Sequence, residues 1–236
     1  RKVEGVNAGH LIEIGARPNT GKTSFHASLI AAPGGFAHQG ANCIILCNEE
    51  GYHRVGARYL TAATGMTMRE IKDNPAKARE LYAPVKERIK IKDATGRDMN
   101  WVESICKSYK PDIVLLDMGD KFAKTGGFAR TDEALKANAV HARMIAKQHE
   151  CAVFYMSQLS ADAEGKVLLN QSMMEGSRTG KAAEADLMIL IAKNPVVDGQ
   201  EEEDTQRHLN VVKNKLTGWH GVVHCELEYQ TARYTV

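Results

Sequence analysis

The stretch Gly15-Ala16-Arg17-Pro18-Asn19-Thr20-Gly21-Lys22-Thr23 limits what this chain can fold into more than any other. A short apolar run, Leu11 to Ile14, precedes it, and a helix-compatible segment, Ser24 to Ala32, follows. Strand, glycine-bearing turn and helix start in that succession make a phosphate-binding loop. The backbone N–H groups of such a turn point inward around a polyphosphate, and the positive end of the helix dipole reinforces them. Lys22 then reaches the β- and γ-phosphates, and the Thr23 hydroxyl ligates Mg2+. In the pattern G-x-x-x-x-G-K-[ST] the first glycine falls on Ala16, with Gly15 one place early. The expected nucleoside triphosphate site comprises Ala16, Arg17, Pro18, Asn19, Thr20, Gly21, Lys22, Thr23 and Ser24.

Such a loop needs a sheet behind it, and the rest of the chain supplies the strands. Asn42 to Cys47 is a short continuous apolar run, as a central strand buried on both faces requires. Asp112-Ile113-Val114-Leu115-Leu116-Asp117 and Cys151 to Met156 read the same way. Ile89 and Ile91 alternate with Lys90 and Lys92, giving a half-exposed strand. Helices are expected over Tyr52 to Ala63 and over Met68 to Tyr82, the second broken at Asn74-Pro75. Two more are expected over Trp101 to Tyr109, capped by Asp98-Met99-Asn100, and over Asp132 to His149. Gly119 to Thr131 and Ser160 to Gly176 read as loops, and Arg178 to Ala185 as a further helix. Leu187 to Ala192, His208 to Val212 and Val222 to Leu227 add strands with little helix between them. The acidic run Glu201-Glu202-Glu203-Asp204 reads as a solvated connector. The fold class is therefore α/β, a central mostly parallel sheet flanked by helices with an antiparallel late edge.

At 236 residues, with 43% hydrophobic and 25% charged, the chain suits one domain spanning 1–236. A net charge of +2 neither demands nor excludes nucleic acid, so local clusters decide. No apolar run approaches the roughly 20 residues that cross a bilayer, and no signal-peptide pattern opens the chain. It begins at Arg1 without a methionine, and the expectation is a domain cut from a longer protein, lacking an N-terminal domain. Cys43, Cys47, Cys106, Cys151 and Cys225 show no metal-type spacing, which implies reduced, buried thiols and a cytoplasmic setting. The histidines form no ligand pattern either, and His53, His141 and His149 read as surface groups on helices.

In open α/β sheets, ligands gather at the carboxyl ends of the strands. Glu49, Glu50, Asp117 and Gln158 all lie just past apolar runs. Asp117, after Ile-Val-Leu-Leu, is a Walker B aspartate that holds Mg2+ directly or through water. Hydrolysis also needs a base to deprotonate water, and Glu49 or Glu50 ends the neighbouring strand; Glu49 is the preferred choice. The Gln158 amide is suited to feel a γ-phosphate and relay its loss.

These motifs together resemble the bacterial replicative helicase family DnaB and the phage primase-helicases. Ala-Arg-Pro-Asn-Thr-Gly-Lys-Thr, from Ala16, is similar to the family's loop, which also opens with Ala. Ser157-Gln158-Leu159 resembles its Ser-Gln-Leu motif, and Gly180 through Leu187 its Ser-Gly…Ala-Asp-Leu segment. Val212 through Gly218 resembles the Lys-x-Arg segment near the family's C-terminus. The resemblance implies a RecA-like P-loop NTPase domain that assembles into a hexameric ring around single-stranded DNA, with nucleotide between subunits. It implies ATP or another nucleoside triphosphate with Mg2+, and a primase or other replication proteins as partners in a bacterial or phage-infected cell. It also implies that Lys22, Thr23, Glu49, Asp117 and Gln158 serve one subunit's nucleotide, while Lys213 and Lys215 reach a neighbour's γ-phosphate. Lys215 stands where the family has an arginine finger, and Lys delivers a point charge without the bidentate fork. Arg58 resembles an arginine near the nucleotide base.

For DNA, the resemblance points to Arg178, Gly180 and Lys181, where backbone N–H and cations grip phosphates without reading sequence. A second candidate is the loop carrying Lys121, Phe122, Lys124, Phe128 and Arg130, with Phe122 or Phe128 available to stack on a base. The leading expectation is an NTP-driven DNA translocase or replicative helicase. A RecA- or RadA-type recombinase ATPase and a non-motor RecA-like regulatory NTPase are the alternatives.

Overall fold

A computed structural model of the chain describes residues 5–124, 131–175, 180–195 and 204–236. Strand β1 (Leu11–Ala16) runs into the phosphate loop and helix α1 (Lys22–Ala31) leaves it. After β2 (Cys43–Cys47) come α2 (Tyr52–Thr64), α3 (Met68–Asp73), α4 (Pro75–Lys86) and β3 (Ile89–Asp93). The chain continues through α5 (Met99–Tyr109), β4 (Ile113–Asp117), α6 (Thr131–Gln148) and β5 (Ala152–Gln158). A five-residue helix, α7 (Gly180–Glu184), leads to β6 (Leu187–Lys193). β7 (Gln206–Asn214), β8 (Gly221–Glu228) and β9 (Arg233–Thr235) follow.

Among the described residues these strands form one nine-stranded sheet, in the order β3-β2-β4-β5-β1-β6-β7-β8-β9. From β3 to β6 every pairing is parallel, and from β6 to β9 every pairing is antiparallel. The period-two geometry of strands divides the apolar runs between two layers. Ile12, Ile14, Ile45, Leu115 and Phe154 join a core with Phe25 and Ile30 of α1 and Val55 and Tyr59 of α2. Leu11, Ile44, Leu46, Val114, Leu116 and Val153 face the other way, onto Met99 and Val102 of α5 and Ile145 of α6. Burial on both faces is why β2 and β4 lack polar residues at alternate positions, while β1 carries one buried acid, Glu13.

The expected α/β sheet with a parallel centre and an antiparallel late edge is the one observed. The break at Asn74-Pro75 separates α3 from α4, because the Asn74 side chain accepts the Lys77 N–H at 3.1 Å and Pro75 opens the new helix. Asp98 alone caps α5, accepting from the Trp101 N–H at 2.9 Å, so the helix starts at Met99. β9 has no counterpart in the sequence reading; α7 ends at Glu184, one residue before the expected end, and Arg178 and Thr179 lie outside the described residues. Of the histidines read as surface groups, only His53 is exposed. His141 and His149 are half-buried around the carboxylate of Glu103, at 3.5 and 3.8 Å.

Candidate active site

The phosphate loop is shaped by two left-handed residues, Asn19 at φ 59° and Gly21 at φ 98°. A side chain at Gly21 would also collide with Leu227 and the Tyr234 hydroxyl, so glycine is required there for conformation and for space. The antiparallel edge braces the loop from behind. Arg207, wholly buried on β7, donates from Nε to the Thr20 carbonyl at 2.8 Å, and the Tyr234 hydroxyl donates to the Gly21 carbonyl at 3.2 Å. Thr20 is itself buried, and it belongs to this brace rather than to the cavity wall.

In front of the loop lies a cavity of about 430 Å3. Ala16, Arg17, Pro18, Asn19, Gly21, Lys22, Thr23 and Ser24 form one wall. Glu49 and Glu50 enter from the end of β2, Gln158 from the end of β5, Arg58 from α2 and Tyr229 from the turn after β8. Parallel pairing places Gln158 directly beside Ala16, which sets the amide at the mouth of the loop. The Lys22 ammonium lies 3.5 Å from the Glu49 carboxylate, and Lys121 donates to the same carboxylate at 3.0 Å. Glu49 is thus held between two cations, while Glu50 is paired with Arg58. Arg17 turns outward, donating to the Leu159 carbonyl at 3.0 Å and to Glu164 at 2.8 Å.

Asp117 ends β4 and is 1% exposed. Burial acts to raise its carboxyl, but His26, Lys22 and Arg58 outweigh that and hold it below the usual carboxylate range. His26 faces it from α1 at 3.6 Å, with its other ring nitrogen 3.0 Å from the Tyr59 hydroxyl. Among the described residues neither Asp117 oxygen has a hydrogen-bond partner. A buried, ionised carboxylate with free lone pairs fits a cation or a cation's water shell. Among the described residues no cluster of three or more acidic, histidine or cysteine side chains stands ready for a metal. A lone carboxylate with a threonine hydroxyl is a donor set that Mg2+ accepts, since it takes few protein ligands and completes its shell with phosphates and water.

The remaining candidates are scattered differently. Lys213 donates to the Ala182 and Ala183 carbonyls at the end of α7, and Lys215 to Ala183 at 3.4 Å, so neither lines this cavity. Lys124 is exposed and Gly180 begins α7. Arg130, Arg178 and Phe128 lie outside the described residues. Two expectations are corrected. Lys181 does not face solvent: its ammonium is fully buried, 2.9 Å from both oxygens of Asp120. Phe122 is not free to stack on a base, because it is 2% exposed in the layer under α5 and α6.

Sequence reasoning missed His26, Arg207, Tyr229, Tyr234 and the buried Lys181–Asp120 pair. Only His26 carried a local signal: it sits one turn beyond Lys22 on a helix that must pack against the Asp117 strand.

A glycine-bearing loop at the end of a central parallel strand, with acids on two neighbouring strand ends and an amide on a third, defines a RecA-like P-loop NTPase. The family model for the DnaB-like helicase C terminal domain matches residues 1–236, and the chain belongs to that family. It is therefore the domain of an NTP-driven DNA helicase, an ATP-dependent hydrolase of DNA replication. No curated protein matches it in sequence. Its fold is similar to the ATPase domain of G40P, with a TM-score of 0.84 at 18% identity, over 98% of this chain and 86% of that one. It is also similar to a DnaB-like replicative helicase solved for its interactions with primase, with a TM-score of 0.83 at 17% identity. That match covers 97% of this chain and 57% of the helicase, so the chain spans a little over half of that relative's length. No described helix is long and apolar enough to cross a membrane.

Proposed function

We propose that residues 1–236 act as one RecA-like motor domain that hydrolyses ATP, or another nucleoside triphosphate, to move along single-stranded DNA and separate strands. The observation that carries this reading is the meeting of Lys22, Glu49 and Gln158, from three different strand ends, around one cavity. The loop's N–H groups and Lys22 hold the phosphates, and Arg58 lies toward the base end. Thr23 and Asp117 hold Mg2+, which when bound neutralises charge on the phosphate oxygens. The Glu49 carboxylate takes the proton of the attacking water. The Gln158 amide hydrogen-bonds the terminal phosphate, and its loss is relayed along β5.

Six copies form a ring in this reading, with Lys213 and Lys215 reaching the nucleotide of the next copy as point charges. Lys121, Lys124 and Gly180, with Arg130 and Arg178, line the path of the DNA backbone, and affinity falls as salt rises. A primase or other replication proteins are the partners, and the cytoplasm is the setting. The test is strand separation of a forked duplex by the protein with ATP and Mg2+. Unwinding that stops when a non-hydrolysable analogue replaces ATP is the expected result. A fork left intact while ATP is consumed in the presence of DNA would contradict it.

A further inference from the structure

Strand β1 delivers the phosphate loop, yet an acid sits in its middle. Glu13 is 2% exposed, between Leu11 and Gly15 on the face of the sheet away from α1. An apolar residue would fill that position without burying a charge, since buried ionic groups seldom add net stability over well-packed apolar ones. What surrounds Glu13 is a chain of polar contacts across four elements. The Ser157 hydroxyl on β5 donates to Glu13 Oε1 at 2.9 Å. The Lys181 ammonium on α7 lies 3.5 Å from the Ser157 hydroxyl and 2.9 Å from both oxygens of Asp120 in the turn after β4. The Tyr155 hydroxyl completes the set, donating to Asp120 at 3.3 Å.

Three members lie within three positions of a residue of the active site. Glu13 lies three positions before Ala16, Ser157 precedes Gln158, and Asp120 lies three positions after Asp117. Lys181 belongs to the short helix whose last carbonyls hold Lys213 and Lys215. We propose that Glu13, Ser157, Asp120 and Lys181 are a buried positioning cluster that couples the Gln158 strand end to α7 and the two lysines α7 holds, with the charge on Glu13 setting the strength of the coupling. This inference rests on the DNA-coupled hydrolysis proposed above.

The charge on Glu13 is adjustable. Burial pushes its carboxyl up to about 7, with Asp120 acting in the same direction and Lys181, Ser157 and Lys213 acting against it. These are the charged and hydrogen-bonding groups that face it from the elements packed around β1. Ionised, Glu13 draws the Lys181 ammonium toward β1 and β5 through Ser157. Protonated, it leaves Lys181 to Asp120 alone, and α7 loses its tie to the Gln158 strand.

The test compares wild type with Glu13→Gln, which keeps the volume and removes the ionisation. The readout is the ratio of ATP turnover with single-stranded DNA to turnover without it, at about pH 6 and about pH 8.5. In the wild type the ratio rises by about fivefold or more toward the alkaline end. In Glu13→Gln it stays flat, at the wild type's acid value. Folding of the variant is checked by melting at the alkaline pH. The folded-state carboxyl is raised, so its contribution to stability is full at acid pH and lost as pH rises through about 7. The Gln variant lacks that loss and melts at or above the wild type. A Glu13→Gln protein that keeps the wild-type pH profile, or a stimulated wild type whose ratio ignores pH, overturns the inference. A wild type that DNA does not stimulate at any pH instead overturns the proposed function beneath it.

Discussion

Lys22→Ala lowers ATP turnover by about 10²- to 10³-fold, the loss typical when one preorganised charge is removed from a developing transition state. The ammonium sits at the head of α1, where the loop turns into the helix, with its side chain only 11% exposed. The other described cations around the cavity are engaged elsewhere: Arg58 with Glu50, Arg17 with Glu164 and the Leu159 carbonyl, and Lys121 with Glu49. Among the described residues, none of these three is free to take over the missing charge. The loop itself should survive, because its shape comes from Gly21, the Thr20–Arg207 bond and the Tyr234 brace rather than from the lysine. An unchanged melting temperature alongside lost hydrolysis, measured by phosphate release, is the expected pair of results. Turnover within a few-fold of wild type would remove Lys22 from the mechanism.

Glu49→Gln separates chemistry from binding. If the carboxylate is the base, its amide cannot take the water's proton, and kcat falls by about 10²- to 10⁴-fold. The nucleotide contacts of the loop remain, so the KM for ATP stays close to that of the wild type. Glu50→Gln is the informative control, since Glu50 lines the same cavity and is engaged with Arg58. A larger kcat loss in Glu50→Gln than in Glu49→Gln would exchange the two roles. Lys121 adds a second consequence. It holds the Glu49 carboxylate at 3.0 Å, so the turn after β4 touches the hydrolytic site directly.

The parts of this account legible in the sequence share a physical cause. A phosphate loop is local: its strand, glycine and helix start are contiguous, so Lys22 and Thr23 could be placed from spacing alone. Central parallel strands are buried on both faces and appear as unbroken apolar runs, which located Asp117 and Gln158 at strand ends. What stayed hidden depends on pairs far apart in the chain. Arg207 contacts Thr20 from 187 positions away, and nothing near Arg207 marks it as buried. Lys181 and Glu13 carry the residue types that normally coat a surface, and only partners far away in the chain, Ser157 and Asp120, account for their burial. The resemblance of its segment to a family loop places Lys181 at the DNA, but that resemblance carries no information on the burial of its side chain. Phe122 failed for the related reason that an aromatic in a Gly- and Lys-rich stretch looks exposed until the layer beneath it is seen.

The most direct measurement of the central claim is steady-state ATP hydrolysis by the wild-type protein with and without single-stranded DNA of mixed sequence. The account predicts turnover that rises several-fold with DNA and loses that rise as salt increases, because the DNA is held through its phosphates. Hydrolysis at the same rate whether or not DNA is present would contradict it.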